Sequence, residues 1–239
     1  MEDAEREICP KGTIDRSVTP SVAFGKGSRP RDFKKANTMQ TIEFYYDFSS
    51  PNAYIAHKLL PGIAARTGAK LIYKPFLLGG VFKTTNNAPP LVAFREVAGK
   101  VDYMRVEMAR FLERFEVPLK FNPYFPVNTV NLMRGAVYAQ GKHWETAYID
   151  RLFDAMWIEG RNLADSGVVD EVLNDVEVPQ NNFNNATQDA GIKSQLAEVT
   201  QNAVNRGCFG SPTMFVGTEM FFGKDSLSDL EWRLGTQSP

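Results

Sequence analysis

The pattern of apolar and polar residues changes character early in the 239-residue chain. Residues 1–39 form a polar stretch that proline and glycine interrupt, and no apolar period in it lasts through a helix or a strand; we interpret it as a disordered N-terminal tail. The β-prone segment 41–46 follows, and then hydroxyl residues and Pro51 predict the start of a helix. Gly68 predicts the end of that helix, and 70–76 is typical of a second strand.

The rest of the chain predicts a series of helices and a final hairpin. Residues 78–90 are rich in glycine, asparagine and proline and are typical of a loop, as is the polar stretch 179–185. Helical periodicity predicts helices over 97–115, 129–140, 143–158, 167–174 and 188–206. The β-prone segments 213–216 and 219–222 flank a Gly-Thr turn and predict a hairpin, which a helix over 225–234 follows.

The order βαβ, many helices, then ββα predicts an α/β protein with a thioredoxin-like fold that a large all-helical insertion interrupts. We assign residues 40–84 and 208–239 to the thioredoxin-like part and residues 85–207 to the insertion. An apolar stripe from Val97 to Phe115 is interpreted as the core-facing side of one insertion helix. The tryptophans are also interpreted as core residues, namely Trp144, Trp157 and Trp232.

Composition and charge narrow the possible functions. Lys and Arg together number 27 and Asp and Glu 28, so we expect neither nucleic acid nor a membrane surface as a partner. No stretch approaches the ~18 apolar residues of a membrane helix, and the acidic N-terminus does not resemble a signal peptide. The two cysteines lie in unrelated contexts, so we expect a cytoplasmic protein without a disulfide framework. Neither histidine has metal-ligand spacing, so no metal is expected.

The first candidate site is the junction between the first strand and the first helix. A helix N-terminus offers free backbone donors and a partial positive charge, which stabilise a thiolate placed there. Redox enzymes of this kind place Cys-x-x-Cys at such a turn, but this chain reads Ser50-Pro51-Asn52-Ala53, which excludes dithiol exchange at this site. A serine hydroxyl can instead donate a hydrogen bond to the thiolate of a bound molecule. The junction alone favours the simpler interpretation that Ser50 only caps the helix.

The second candidate site is Gly210-Ser211-Pro212-Thr213, just before the third predicted strand. A proline that enters a strand removes a ladder donor and often marks a cis peptide bond. Such a bond would turn the backbone groups of Ser211 towards the first helix, where they could pair with a bound peptide. Cys208 precedes this turn and is interpreted as a buried structural thiol.

Four sequence blocks resemble the 2-hydroxychromene-2-carboxylate isomerase family, which is related to kappa-class glutathione transferases and to Dsb-type disulfide oxidases. The blocks are Phe44-Tyr45-Tyr46-Asp47-Phe48-Ser49-Ser50-Pro51, Leu77-Leu78-Gly79-Gly80-Val81-Phe82-Lys83 with Asn86-Asn87-Ala88-Pro89-Pro90, Phe209-Gly210-Ser211-Pro212-Thr213-Met214-Phe215-Val216-Gly217, and Glu219-Met220-Phe221-Phe222-Gly223-Lys224-Asp225. The resemblance covers residues 42–234 and implies an enzyme that uses glutathione as its cofactor. It reverses the choice at Ser50, which it implies holds the glutathione sulfur as a thiolate.

The resemblance also implies roles for further residues. The implied glutathione contacts are Asn87, with Asn86 as the alternative register, Lys100 at the glycyl end, Ser211 and Pro212 at the cysteinyl group, and Asp225 and Ser226 at the γ-glutamyl end. Ser226 stands where relatives often have arginine, so a cation is missing from that position. Lys83 is implied to meet the carboxylate of the substrate.

The implied activity is cis-trans isomerisation of 2-hydroxychromene-2-carboxylate, or of a similar aromatic-degradation intermediate, by reversible addition of the glutathione thiolate. The implied partners are this small aromatic-derived substrate and a second copy of the chain in a homodimer. Two alternatives stay open. A kappa-like glutathione transferase or peroxidase would conjugate electrophiles instead of releasing them unchanged. A non-catalytic thioredoxin-fold binding module would show no response to glutathione.

Overall fold

A four-stranded β-sheet organises the part of the chain that the computed structural model describes, which is residues 39–176, 178 and 180–235. The N-terminal tail predicted from the sequence lies outside the described residues, apart from Met39. No helix within the described ranges is long and apolar enough to cross a membrane.

The sheet has the strand order β2-β1-β3-β4. Its strands are β1 (Thr41–Tyr46), β2 (Lys70–Pro75), β3 (Thr213–Val216) and β4 (Glu219–Phe222). β1 runs parallel to β2 and antiparallel to β3, and β3 and β4 pair as an antiparallel hairpin. These strands confirm the predicted ones, with β2 ending one residue earlier than expected.

Helices make up most of the remaining described chain. They are α1 (Pro51–Thr67), α2 (Leu78–Thr85), α3 (Pro90–Ala93), α4 (Lys100–Phe115), α5 (Val130–Ala139), α6 (Glu145–Asp154), α7 (Ser166–Leu173), α8 (Gln180–Gln188), α9 (Ala190–Asn205) and α10 (Leu227–Gly235). A π-helical turn at Ala155–Glu159 extends α6, and a 3₁₀ turn at Lys224–Ser226 precedes α10. The insertion of α4 to α9 between β2 and β3 confirms the thioredoxin-like fold, whereas the domain limits at residues 84 and 208 stay a prediction.

Helix α1 begins and ends where the sequence predicts. Ser50 is its N-cap and Pro51 its first residue, where the missing backbone N–H of proline costs no intrahelical bond. Gly68 ends the helix in the left-handed region (φ 68°), and its N–H donates to the carbonyl of Ala64. The buried side of α1 packs in the main core together with Phe44 and other residues of β1. This packing holds the N-terminus of α1 at the carboxyl end of β1.

A second, smaller core lies on the other face of the sheet. Successive side chains of a strand point to opposite faces, so Tyr45 and Phe215 face away from the main core. They pack with residues of α2, of α9 and of the segments that flank these helices, namely Phe76, Val81, Ala203 and Cys208. Cys208 is buried there, as predicted, and its structural role stays a prediction.

The prediction of a loop over residues 78–90 is wrong, because α2 lies within it. Its two glycines have low helix propensity, but tertiary hydrogen bonds hold the start of this helix. The backbone N–H of Leu77 donates to Thr200 Oγ1 (2.9 Å), and the N–H of Leu78 donates to Asp47 Oδ2 (2.8 Å). A carboxylate at a helix N-terminus also interacts favourably with the helix dipole.

The prediction of a polar loop over 179–185 is also wrong, because α8 covers most of this stretch. Phe183 is buried there against the ring of Tyr148, with 5.7 Å between the ring centroids. One large apolar side chain thus anchors a helix whose sequence is otherwise polar, since tertiary burial outweighs weak local propensity.

Two predictions of core residues fail in part. Helix α4 contains no fully buried residue, and Val97 lies before it with 52% of its surface exposed. Only the later part of the stripe packs against the main core, through Met108, Phe111, Leu112 and Phe115. Trp144 and Trp157 are buried as predicted, but Trp232 is 68% exposed and is not a core residue.

We expect Gly135→Ala to lower the free energy of unfolding by about 1–3 kcal/mol, because overpacking forces neighbouring groups to shift. A β-carbon at Gly135, in α5, would collide with the hydroxyl of Tyr148 and the ring of Phe183. Urea denaturation would measure the loss. Gly79→Ala in α2 is the matched control, since a β-carbon there meets nothing within 4 Å, and we expect it to stabilise by about 0.5–1 kcal/mol. Equal stability of the two variants would contradict the packing described for α5.

Candidate active site

The candidate active site is built around Ser50, at the N-terminus of α1. The residue is 4% exposed. Its Oγ accepts a hydrogen bond from the N–H of Ala53 (3.1 Å) and donates its own proton to the backbone carbonyl of Ser211 (3.0 Å). The sequence presented a helix cap and a site residue as alternatives, but the geometry makes Ser50 both the cap of α1 and the neighbour of the second candidate site.

The turn at Ser211 and Pro212 lies directly against this helix terminus. The peptide bond between the two residues is cis, as predicted. The carbonyl of Pro212 accepts from the N–H of Gly223 (2.9 Å), which anchors the turn to the end of β4. Ser211 Oγ and Asn52 Oδ1 are buried and have no hydrogen-bond partner among the described residues. Buried polar groups are nearly always paired, so these two atoms are available to a further hydrogen-bond partner.

Asn87 reaches the same turn from the end of α2. Its Nδ2 donates to the carbonyl of Phe209 (2.7 Å), and its Oδ1 accepts from the N–H of Ala88 (2.8 Å). Asn86 instead ends α2 in the left-handed region (φ 55°). The structure therefore brings Asn87, of the two asparagines, to the loop that leads into Ser211; its role with glutathione stays a prediction.

A buried carboxylate that sequence reasoning missed, that of Asp47, joins the surrounding elements. It is 1% exposed and accepts four hydrogen bonds, from the N–H and Oγ of Ser49 (both 2.9 Å), from Thr129 Oγ1 (2.7 Å) and from the N–H of Leu78 (2.8 Å). Burial raises the pKa of Asp47, and the four donors oppose that shift. The available signal was a single acidic residue between an apolar strand and a helix start. Because Thr129 begins α5, one side chain connects the β1–α1 loop, α2 and α5.

The two lysines predicted to contact glutathione and the substrate are exposed, one on α2 and one on α4. Lys83 is in the last turn of α2. Lys100 is the first residue of α4, with its Nζ 5.4 Å from the ring centroid of Phe94. The structure brings neither ammonium group into contact with Ser50, so both assignments stay predictions.

Asp225 and Ser226 lie in the 3₁₀ turn before α10. Ser226 Oγ donates to the carbonyl of Gly223 (2.9 Å). The Asp225 side chain is 70% exposed, and its Oδ1 lies 2.6 Å from the Nζ of Lys224. Lys224 was not singled out from the sequence, yet it is buried and also pairs with Glu107 of α4 (2.6 Å). The side of the turn that carries Asp225 is therefore ionically linked to the insertion.

Two surface grooves are lined by residues other than Ser50. One, of about 250 Å³, runs between α1, α4 and α10 and is lined in part by Lys224. The other, of about 320 Å³, runs between α2, α5 and α9 and is lined in part by Arg134 and Lys193. Ser50 lines neither of these two grooves, and little of its surface is exposed.

The thiol of Cys208 is poorly suited to act as a nucleophile. Burial raises the pKa of the Cys208 thiol to about 11, although Thr213 and Arg206 act in the opposite direction. A protonated, buried thiol is a weak nucleophile. Among the described residues no cluster of three or more His, Cys, Asp and Glu side chains could hold a metal ion.

Asp47→Asn is expected to lower the free energy of unfolding by about 1–3 kcal/mol, because an amide nitrogen cannot accept and at least one buried donor loses its partner. The donors at risk are the N–H of Leu78 and the hydroxyl of Thr129. Ser49→Ala removes one donor and leaves the carboxylate paired, so it should lower the free energy of unfolding by less. Urea denaturation of both variants measures the difference, and a fully stable Asp47→Asn protein would contradict the role given to this carboxylate.

Cys9 is the other cysteine of the chain and would react with the same reagent, so the test uses a Cys9→Ser variant. In this variant we expect Cys208 to react about 100-fold more slowly with a disulfide reagent at pH 8 than an unfolded thiol, from its lower thiolate fraction alone. Its folded pKa of about 11 lies above the value of 9.0 for a free thiol, so unfolded chains lose this proton first as the pH rises. The thiol's contribution to stability is thus complete below about pH 9 and decreases between about pH 9 and 11. Labelling of the native protein as fast as in urea would contradict this assignment.

Comparisons with known proteins agree with the resemblance seen in the sequence. Relatives named 2-hydroxychromene-2-carboxylate isomerase are 30% identical over 192 residues in Sphingobium xenophagum (80% of this chain, 96% of the relative) and 29% identical over 194 residues in Pseudomonas putida (81% and 94%). Glutathione S-transferase kappa 1 of Rattus norvegicus is 26% identical, covering 82% of this chain and 91% of the relative.

A solved structure of a 2-hydroxychromene-2-carboxylate isomerase superposes with a TM-score of 0.72 at 28% identity, covering 82% of this chain and 95% of that chain. The sequence profile of the DSBA-like thioredoxin domain matches residues 41–235, which include both candidate sites. The chain therefore belongs to the DSBA-like thioredoxin domain family, as a relative of the 2-hydroxychromene-2-carboxylate isomerases.

Proposed function

We propose that this protein is a glutathione-dependent cis-trans isomerase that acts on 2-hydroxychromene-2-carboxylate or a similar aromatic-degradation intermediate. The observation that carries the proposal is the position of the Ser50 hydroxyl, between the cap of α1 and the carbonyl of Ser211. The isomerases at 30% and 29% identity support the reaction, and the Ser50-Pro51-Asn52-Ala53 sequence has no cysteine at the start of α1, so the proposal takes the reactive sulfur from a ligand.

In this proposal glutathione, when bound, supplies a thiolate whose reversible addition to an unsaturated substrate allows rotation about the former double bond. The N-terminus of α1 stabilises negative charge through its free N–H groups and its dipole. Asn87, Lys100, Ser211, Pro212, Asp225 and Ser226 are the residues that would hold the tripeptide. Lys83 would meet the substrate carboxylate from its exposed position on α2.

The hydroxyl of Ser50 has one proton, and that proton now points to the carbonyl of Ser211. Rotation of the O–H lets Ser50 donate to a sulfur while its oxygen keeps accepting from the N–H of Ala53. The released carbonyl of Ser211 can then accept from a backbone N–H of the bound peptide. Binding would thus exchange one hydrogen bond for two, so no buried polar group of the site loses its partner.

A kappa-like glutathione transferase is the second candidate, favoured by the relative from Rattus norvegicus at 26% identity. Both activities need a glutathione thiolate, and they differ in whether the electrophile is released unchanged or stays conjugated. The homodimer and the cytoplasmic location expected from the sequence stay predictions beside either activity.

We expect Ser50→Ala to lower kcat/KM for glutathione-dependent turnover of 2-hydroxychromene-2-carboxylate by about 10–100-fold, because the thiolate loses a hydrogen bond to a charged group and a smaller fraction of the bound thiol is ionised. The pKa of the bound glutathione thiol should rise, because the thiolate loses a hydrogen-bond donor. Substrate absorbance follows the turnover, and the ultraviolet absorbance of the thiolate follows its titration.

Ser49→Ala is the matched control, because its hydroxyl bonds to Asp47 and not to Ser211. Loss of the Ser50 cap alone should cost about 1 kcal/mol of stability, so unfolding is measured alongside activity. An unchanged rate in Ser50→Ala overturns the role of Ser50. Conjugation of a generic electrophile without isomerisation favours the transferase, and a wild-type protein that does not bind glutathione favours the binding module.

A further inference from the structure

Lys224 is unusual because its side chain is only 2% exposed, and lysine is almost never fully buried unless it is paired. Its Nζ lies 2.6 Å from Glu107 Oε1 and 2.6 Å from Asp225 Oδ1. The same ammonium lies 4.5 Å from the ring centroid of Phe111. Two carboxylates and the face of an aromatic ring therefore surround this cation, which is the environment that a buried ammonium requires.

The partners of Lys224 come from two distant parts of the chain. Glu107 lies 117 residues earlier, on α4, about 10 Å along the helix from Lys100 at 1.5 Å per residue. Asp225 lies in the 3₁₀ turn directly before α10. Lys100 and Asp225 are the residues predicted to bind the two opposite ends of glutathione. Lys224 thus connects the two elements on which these predicted binding residues lie.

Helix α4 needs such a connection more than the other long helices do. None of its residues is fully buried, and only its second half packs against the main core. Its contact with the turn at Lys224–Ser226 is an ion pair whose cation is shielded from water. A pair with one buried partner is weakened less by salt than a fully exposed pair, and here the Glu107 side chain is 38% exposed while that of Lys224 is 2% exposed.

The positive charge of Lys224 does not balance the two carboxylates that it contacts. Glu107 and Asp225 are acidic and Lys224 is basic, so the three side chains carry a formal charge of −1. The Asp225 side chain is 70% exposed, and its second oxygen, Oδ2, has no partner within the described residues. The exposed carboxylate of Asp225 can therefore accept a hydrogen bond from one further ammonium group. The γ-glutamyl end of glutathione carries one such group, beside an α-carboxylate that makes this end neutral overall.

We propose that Lys224 is a positioning residue for glutathione, which fixes the carboxylate of Asp225 against α4 so that it can receive the γ-glutamyl ammonium. This rests on the proposed function, since it takes glutathione as the ligand. Glu107 acts through Lys224 and supplies the second negative charge. The cation missing at Ser226 is not replaced by Lys224, because the Lys224 ammonium is already engaged by both carboxylates.

Positioning and simple charge effects predict opposite changes in how much the γ-glutamyl ammonium contributes to binding. Removal of the Lys224 charge takes the cluster from −1 to −2, which by Coulomb attraction alone would raise the contribution of this ammonium. Loss of positioning instead frees the Asp225 side chain and separates it from α4, which lowers that contribution. The ratio of the affinities for glutathione and for an analogue without the amino group therefore distinguishes the two roles, because both ligands carry the same carboxylates.

Titration calorimetry of wild type and Lys224→Met with glutathione tests the proposal. We expect Lys224→Met to weaken binding by about 10-fold or more, the effect of a misplaced hydrogen bond to a charged group. A second ligand, the analogue in which the γ-glutamyl amino group is replaced by hydrogen, should bind wild type more weakly than glutathione. In Lys224→Met the ratio of the two affinities should approach one.

Lys58→Met is the matched control, since Lys58 also pairs with a carboxylate, that of Asp154 (2.7 Å), and lies over the ring of Tyr54. Its affinity for glutathione should equal that of wild type. If Lys224→Met does not fold, Lys224→Gln takes its place, because it removes the same charge and keeps a donor towards one carboxylate. The same change in affinity for the two ligands is expected of it. Glu107→Gln should weaken binding less than Lys224→Met.

Unchanged or tighter binding of glutathione by the folded Lys224 variants overturns the proposal, as does an unchanged ratio between the two ligands. Failure of the wild-type protein to bind glutathione overturns the proposed function instead. A Ser50→Ala effect on the thiol pKa together with normal binding by Lys224→Met would leave the proposed function standing and remove only the role of Lys224.

Discussion

The buried carboxylate of Asp47 is the interaction on which the arrangement of the candidate site depends. Burial of a carboxylate without hydrogen-bond partners would strongly destabilise the folded protein. The four donors around Asp47 come from the β1–α1 loop, from the start of α2 and from the start of α5. Two of these donors are backbone N–H groups, which cannot rotate to another partner. The need to satisfy one buried charge therefore aligns three elements, and it sets the path of the chain just before Ser50.

The hydroxyl of Ser50 makes two different hydrogen bonds at the start of α1. Its oxygen accepts from the first turn of α1, which is an ordinary cap, and its proton stays available for a second partner. That partner is at present the carbonyl of Ser211, beside the cis bond to Pro212. The cap and the donor use different parts of one hydroxyl, so the two interpretations that the sequence set against each other are compatible. The helix terminus supplies the positive potential, and the hydroxyl supplies direction.

The sequence predicted what depends on local pattern and missed what depends on distant contacts. The strands, the limits of α1 and the cis bond before Pro212 follow from strand periodicity, caps and proline chemistry. α2 was missed because its start is held by Asp47 and Thr200, both far from it in sequence. Lys224 was missed because its burial depends on Glu107, which lies 117 residues away. The exposure of Trp232 likewise depends on which side of α10 meets the core, and residue type alone does not decide it.

The absence of cysteine from the start of α1 has a consequence for the whole fold. A redox relative carries its reactive sulfur in the helix, so the protein backbone already positions it. A chain that uses the sulfur of a ligand must instead hold that ligand at several points, because rotational and translational freedom has to be restricted before the sulfur can act. Under the proposed function these points lie on α1, at the end of α2, on α4 and before α10. The buried side chains that join these elements, Asp47 on one side and Lys224 on the other, then act on the reaction without touching the sulfur.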